Sequence, residues 1–312
     1  MKFLSKLRGR NQALRASKID IKPPIADAQR AGIALVAIVK NEEHYIGDWL
    51  RFHALAGVTD FVIYDNQSDD QTVTVIQSFS TLNITVIPWA LDTSAHSPKM
   101  VLPRQILAYC HAISNFGSAY RWMGFIDIDE YLVPQTETTL MGCLDGLAGV
   151  ANISLPWVMF GHGGHDTPPS APVPLAYTQC APHQTGKLLN FKCIVDPCDV
   201  TQVSTHKFET RTMGRKTANM QGTVTWNKTR GARGFVTNEG LQLNHYYLRS
   251  RTEMEQKMSG TAVSGAKQNK RKAAILEKAH QIETDPVTDT RAHMFLQRHT
   301  IQTNDDFRKV LS

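Results

Sequence analysis

Cysteine is scarce in this chain, and what there is follows no binding pattern. Five cysteines, Cys110, Cys143, Cys180, Cys193 and Cys198, stand among 312 residues with no CxxC pair. An odd count at that spacing argues against a zinc ribbon or a disulfide framework, and reduced, buried thiols are expected. No apolar run reaches the ~18 residues that a membrane-spanning helix requires. The first eighteen residues contain no acid, only Lys2, Lys6, Arg8, Arg10, Arg15 and Lys18, and their apolar stretch is too short for a signal-peptide core. The expectation is therefore a cytoplasmic protein. Its basic segment is either a plain tail or, with Phe3, Leu4 and Leu7 beside the charges, a peripheral contact with anionic membrane at the inner face. Aromatics are not interleaved with those cations, which argues against a nucleic-acid partner. No internal repeat is visible.

What is present is ordinary globular material. Hydrophobic residues make up 42% and charged residues 20%, with a formal net charge of +6, enough apolar surface for one large core or two modest ones. After a linker-like stretch to residue 30, IALVAIV (Ile33 to Val39) is a continuous β-branched run, as in a strand buried on both faces. Ile46, Trp49, Leu50 and His53 follow at helical spacing, and Gly57 ends the pattern. FVIYD and NITVIPW read as further strands, Pro103 to Phe116 as a helix, and WMGFID as a fourth strand. Strands alternating with helices at this spacing predict an α/β fold with a parallel sheet. Beyond residue 150 the pattern changes. ANISLPWVMFG leads into the Gly/Pro-rich loop GHGGHDTPPSAPVP, LLNFKCIVDP and TQVSTHKFE read as paired strands, residues 210–235 as loop, and LQLNH as a last strand before C-terminal helices.

Three polar clusters then fall at strand ends: Lys40-Asn41-Glu42-Glu43, Asp65-Asn66-Gln67-Ser68-Asp69-Asp70, and Asp127-Ile128-Asp129-Glu130. In a parallel sheet all three share the carboxyl edge, where ligands bind. Carboxylates crowded at a strand end repel one another and are costly to bury unless paired or bound to a cation. An acidic DxD suits a hard divalent ion, Mn²⁺ or Mg²⁺. Such an ion neutralises a departing diphosphate. Taken alone, the motif fits a surface acidic turn as well.

The wider pattern is more specific. IVKNEEHYIGDWLRFHALAGVTDFVIYDNQSDDQT, FIDIDEYLVP and LNHYYLRSRTEMEQK together resemble the family-2 glycosyltransferases and their family-92 relatives, closest to a bacterial branch with a DIDE motif. Asp48 stands where that branch usually has Glu, and Tyr131 where it has Phe. The likeness covers roughly residues 33–260. It implies a GT-A (Rossmann-like) fold, a nucleotide-sugar donor, a glycan or lipid-linked acceptor, a divalent metal and inversion at the anomeric carbon. Under it, Val39, Lys40, Asn41, Glu42, Asp65, Asn66, Arg104, Gln105 and Asp127 would hold the donor. Asp127, Asp129 and His245 would hold the metal, with His206 the alternative histidine and Glu130 outside the ligand set. Lys192 and Arg249 would neutralise diphosphate. Asn66 and Ser68 also fit plain turn chemistry, and His245 fits a satisfied core imidazole.

Inverting transfer needs a general base. Asp166 and His165 in the FGHGGHD loop are the candidates, and Asp166 would equally cap the turn before Pro168. The implied organisation is a tail and linker over residues 1–30, a catalytic domain over 31–260 and a helical extension over 261–312. Two other classes stay open. An aspartyl-nucleophile phosphatase would carry its acidic motif near the start of the fold, followed by Gly-Thr, whereas Glu130-Tyr131 follows here. A non-catalytic carbohydrate-binding relative would have lost its metal residues.

Overall fold

A computed structural model of the chain describes residues 14–91, 100–101, 103–259 and 266–311. The basic residues before position 14 lie outside that set. Four strands build the first half of the sheet: β1 (Ile33–Val39), β2 (Asp60–Asp65), β3 (Asn83–Pro88) and, after helix α3, β4 (Trp122–Phe125). Between them run α1 (Ile46–Leu55), α2 (Thr72–Gln77) and α3 (Arg104–Phe116). Their order is β3-β2-β1-β4, all parallel, with Val39 opposite Asp65 and Val36 opposite Phe125. The predicted α/β sheet is thus present in this half.

Period-2 alternation divides β1 between two cores. Ile33, Leu35, Ala37 and Val39 pack with Trp49, Leu50 and Phe52 of α1 and with Phe295 and Leu296 near the C-terminus. Ala34 and Val36 pack with Ala108, Tyr109 and Ala112 of α3. Helices on both faces leave the loops at the strand ends as the accessible part of this half. Gly57, with φ at +82°, supplies the left-handed residue just past α1. Gly124 lets β4 approach β1, since a Cβ there would lie 2.7 Å from Leu35 Cδ2.

The second half is mixed rather than parallel. Its strands are β5 (Glu130–Pro134), β6 (Asn152–Met159), β7 (Phe191–Val195), β10 (Lys216–Ala218), β11 (Val224–Trp226) and β12 (Leu241–His245), while β8 (Val200–Val203) and β9 (Phe208–Thr210) form a separate small sheet with Ile19–Asp20. β7 runs antiparallel between β4 and β6. β10 and β11 extend the sheet beyond β6. β12 pairs parallel with β6 and antiparallel with β5, placing His245 opposite Glu130.

Three local expectations change. LLNFKCIVDP and TQVSTHKFE do not pair with each other: β7 enters the main sheet, while β8 pairs with β9 and with Ile19–Asp20. Residues 210–235 contain two sheet strands, short and polar enough to read as loop. The acidic motif ends one strand and begins another, because Glu130 already belongs to the fully buried β5. Helices α4 (Arg251–Ser259), α5 (Ala266–Glu283) and α6 (Arg291–Arg298) follow. Ile282, Phe295 and Leu296 join the same core as β1. No helix of the described residues is long and apolar enough to cross a membrane.

Candidate active site

The parallel half brings the first two clusters into one knot at the carboxyl edge. Asn41, held at φ +56°, donates its backbone N–H to Ser68 Oγ at 3.0 Å, and its Oδ1 accepts from Asp69 N at 3.0 Å. Glu42 N donates to Thr72 Oγ1 and Glu43 N to Asp70 Oδ2. Asp65 Oδ1 accepts from Ser68 N, so Ser68 has the turn role open to it. Val39 is buried in the core and meets this edge through its carbonyl, which accepts from Asn66 N. Lys40 is exposed. Arg104, first residue of α3, donates from Nη1 to Asn66 Oδ1 at 3.1 Å.

One residue on, Gln105 reaches the acidic motif, donating Nε2 to Asp127 Oδ1 at 2.9 Å. Lys192, buried on β7, places its ammonium 2.7 Å from Asp127 Oδ2 and 3.4 Å from Glu130 Oε2. Burial disfavours that charge, but the two carboxylates outweigh it and hold the lysine firmly protonated. Asp127 is therefore held by Lys192 and Gln105. Of the expected trio of Asp127, Asp129 and His245, the last two lie together with Glu130, the ligand atoms of Asp129, Glu130 and His245 falling within 4.8 Å of one another.

Asp129 Oδ2 stands 3.3 Å from His245 Nε2 and 3.7 Å from Lys257 Nζ. Burial pushes its carboxyl up, yet His245, Lys257 and Arg249 together hold it below the ordinary range, as a carboxylate. Burial lowers the pKa of His245 against the pull of Asp129, which favours the neutral, ligating imidazole. Burial raises Glu130 well above the usual carboxylate value, with Lys192 opposing. Two buried atoms of this group, Glu130 Oε1 and His245 Nδ1, have no hydrogen-bond partner. Two carboxylates, one imidazole and unspent donor capacity fit Mn²⁺ or Mg²⁺.

Cations close the far side. Arg249, at φ +54°, donates from both terminal nitrogens to Glu42 Oε2 at 3.3 Å and stacks 3.6 Å over the Tyr45 ring. Lys257 donates to the Tyr247 carbonyl at 2.9 Å and lies over that ring. Lys257 was not singled out from the sequence, although Arg249, Glu253 and Lys257 stand at i,i+4 spacing. The alternative ligand His206 instead bonds the Phe191 carbonyl through Nδ1 at 3.0 Å.

His165 Nε2 bonds the Ala176 carbonyl at 3.2 Å, and Asp166 forms an exposed ion pair with Arg251 at 3.4 Å. Neither bonds an acid of the motif among the described residues. The backbone N–H groups of Arg251 and Thr252 donate to the carbonyls of His165 and Asp166, clamping this loop to the start of α4, the helix that delivers Lys257.

An α/β sheet with acids, an imidazole and cations gathered at its carboxyl edge defines the class. The sequence pattern of glycosyltransferase family 92 matches residues 36–229, and the chain belongs to that family. A glycosyltransferase family 92 protein of Ricinus communis is 25% identical over 167 residues, 51% of this chain and 28% of that protein. One of Oryza sativa subsp. japonica is 26% identical over 151 residues, 47% of this chain and 24% of that protein. The chain thus spans about a quarter of the length of the curated relatives it matches. Among solved structures, S. aureus TarS 1–349 overlaps 80% of this chain and 71% of its own, at 14% identity and a TM-score of 0.35.

Proposed function

We propose that the chain is a metal-dependent, inverting glycosyltransferase of GT-A type. It would move a sugar from a nucleotide-sugar donor to a hydroxyl of a glycan or lipid-linked acceptor. The observation that carries this reading is the group of Asp129, Glu130 and His245 at the carboxyl edge, with buried donor atoms left unpartnered. When bound there, Mn²⁺ or Mg²⁺ would offset negative charge on the leaving nucleoside diphosphate. Asp65, Asn66 and Arg104 form the nucleoside side, Glu42 and Asn41 shape the wall beside it, and Arg249 and Lys257 supply positive charge to the diphosphate. The acceptor oxygen attacks C1 as the bond from C1 to the diphosphate oxygen breaks, and the acceptor's proton passes to a base.

For that base we propose Asp166, with His165 beside it, because their loop is clamped to the helix carrying Lys257. Asp166→Asn should retain nucleotide affinity and lose roughly 10²–10³-fold in transfer. Unimpaired transfer by both Asp166→Asn and His165→Ala would move the base elsewhere. A peripheral membrane role for residues 1–18 predicts salt-sensitive binding to anionic liposomes that is lost on their deletion. The decisive experiment for the activity is a donor screen, hydrolysis of UDP-, GDP- and dTDP-sugars with Mn²⁺. No turnover of any donor, with Mn²⁺ or Mg²⁺, would overturn the reading. Release of phosphate from an aryl phosphate would support the phosphatase alternative instead.

A further inference from the structure

A cavity of about 760 Å³ has two walls whose chain neighbours reach the acidic cluster, although no residue of the cluster itself lines it. One wall is α3, where Gln105 bonds Asp127 and the next residue, Ile106, lines the cavity. The other is the turn carrying His206, which bonds the carbonyl of Phe191, the residue before Lys192. The far rim is Trp226 on the outermost strand β11, a residue 49% exposed, with the Lys216 ammonium 5.4 Å from the ring centroid.

A half-exposed tryptophan on an edge strand leaves part of its ring in water, and such a ring offers a flat apolar face with a polar edge. Ser17, Gln202, Thr205 and Asn227 line the same cavity. Asn227 keeps a buried Oδ1 without a hydrogen-bond partner. Four cations line the same space, Lys18, Lys207, Arg215 and Lys228, against one acid, Glu209. Glu209 is already paired with Arg215 at 3.2 Å. Lys18, Lys207 and Lys228 enter no ion pair among the described residues. The cavity is within the size range of small-ligand sites.

We propose that this cavity binds an acidic saccharide, one bearing carboxylate or phosphate groups, as the acceptor. A ring stacks on Trp226, the anionic groups meet Lys207 and Lys228, and the reacting end points along α3 toward Asp127. This rests on the glycosyltransferase reading for the word acceptor. The binding itself stands on the cavity alone.

Calorimetric titration of the full chain tests it with four probes: tetragalacturonate, glucose phosphate, maltotetraose and inorganic phosphate. One of the two acidic saccharides should bind, with affinity falling as salt rises. Trp226→Ala should weaken that binding roughly tenfold, and Lys207→Glu with Lys228→Glu should weaken it further. Both variants should bind UDP with Mn²⁺ as the parent does, which shows that the fold and donor side are intact. Binding of carboxylate but not phosphate saccharide, or the reverse, identifies the source of the charge. The proposal is overturned if neither acidic saccharide binds, if maltotetraose binds equally well, or if inorganic phosphate binds as tightly and Trp226→Ala changes nothing. Saccharide binding without turnover of any donor would sink the glycosyltransferase reading and leave the site standing.

Discussion

The two ends of β7 carry carboxylates beside cations, and they are built differently. At its far end Asp196 uses both oxygens. Arg30 donates to Oδ1 and, at 2.8 Å, to Oδ2; Arg121 stands 3.1 Å from Oδ2; the Cys198 N–H donates to Oδ1 at 3.0 Å. At its near end Lys192 faces Asp127 and Glu130, yet Glu130 Oε1 and His245 Nδ1 remain unpartnered. A saturated carboxylate is a staple, tying residue 30 and the start of β4 to the sheet. Buried polar atoms without partners cost stability; at the near end they belong to the acid and the imidazole themselves, whereas at the far end they are Arg121 Nη1 and Asn152 Oδ1 and the Asp196 carboxylate is satisfied. Charge and burial alone would not separate these two clusters.

The largest test compares turnover at the two ends. Asp129→Asn should cut donor turnover by roughly 10²–10³-fold, the scale seen when one preorganised electrostatic contact is removed, and should also lower stability, because the carboxylate is held by His245, Lys257 and Arg249. Asp196→Asn should cost about 2–3 kcal/mol in a denaturant melt for a broken, partly buried ion pair while turnover persists. Equal turnover in the two variants would erase the distinction. Next, Lys192→Met leaves Asp127 and Glu130 facing each other without their shared counter-charge. It should cost about 3–5 kcal/mol without metal, and Mn²⁺ should raise its melting temperature by more than that of the parent. An equal Mn²⁺ response would place the ion away from these acids.

A smaller effect follows from histidine, present at the near end only. Burial pushes His206 down to about 4, with Lys192 adding to the shift, and pushes the core residue His53 down to about 3. Above the reference value near 6.5 both folded and unfolded imidazoles are neutral. As pH falls below it, the unfolded chain binds protons first. Each group then costs up to about 1.4 kcal/mol per pH unit until its folded pKa is reached. Stability should therefore fall from pH 6.5 toward 4. His206→Gln should flatten that slope; an unchanged slope in melts at pH 6.5, 5.5 and 4.5 (roughly spanning the window) would contradict the assignment. Smallest of all, Arg30→Lys keeps the charge and loses the two-pronged geometry. About 1 kcal/mol of stability and no activity should go with it.

Much of the fold was legible in one dimension. β1 spans Ile33–Val39 as read, because an unbroken β-branched run has one comfortable place, a strand covered on both faces. The likeness carried by the KNEE, YDNQSDD and DIDE segments pointed to the family that residues 36–229 match. Local chemistry also placed the polar clusters at strand ends, since acids and turn residues stop a buried strand. Those determinations rest on neighbours in sequence.

Only the tertiary structure decided which carboxylate faces what. Asp127 and Glu130 sit three residues apart, and the decision came from Lys192, 65 residues beyond Asp127, and from the β5–β12 pairing that sets His245 opposite Glu130. The same holds for Lys257, brought to Asp129 by a helix that shows no buried face of its own. It holds too for the strands at 216–218 and 224–226, too short and polar to announce themselves. Period and propensity report what a residue prefers beside its chain neighbours. Which buried charge finds which partner depends on long-range register, and a one-residue slip would turn His245 to the other face of the sheet.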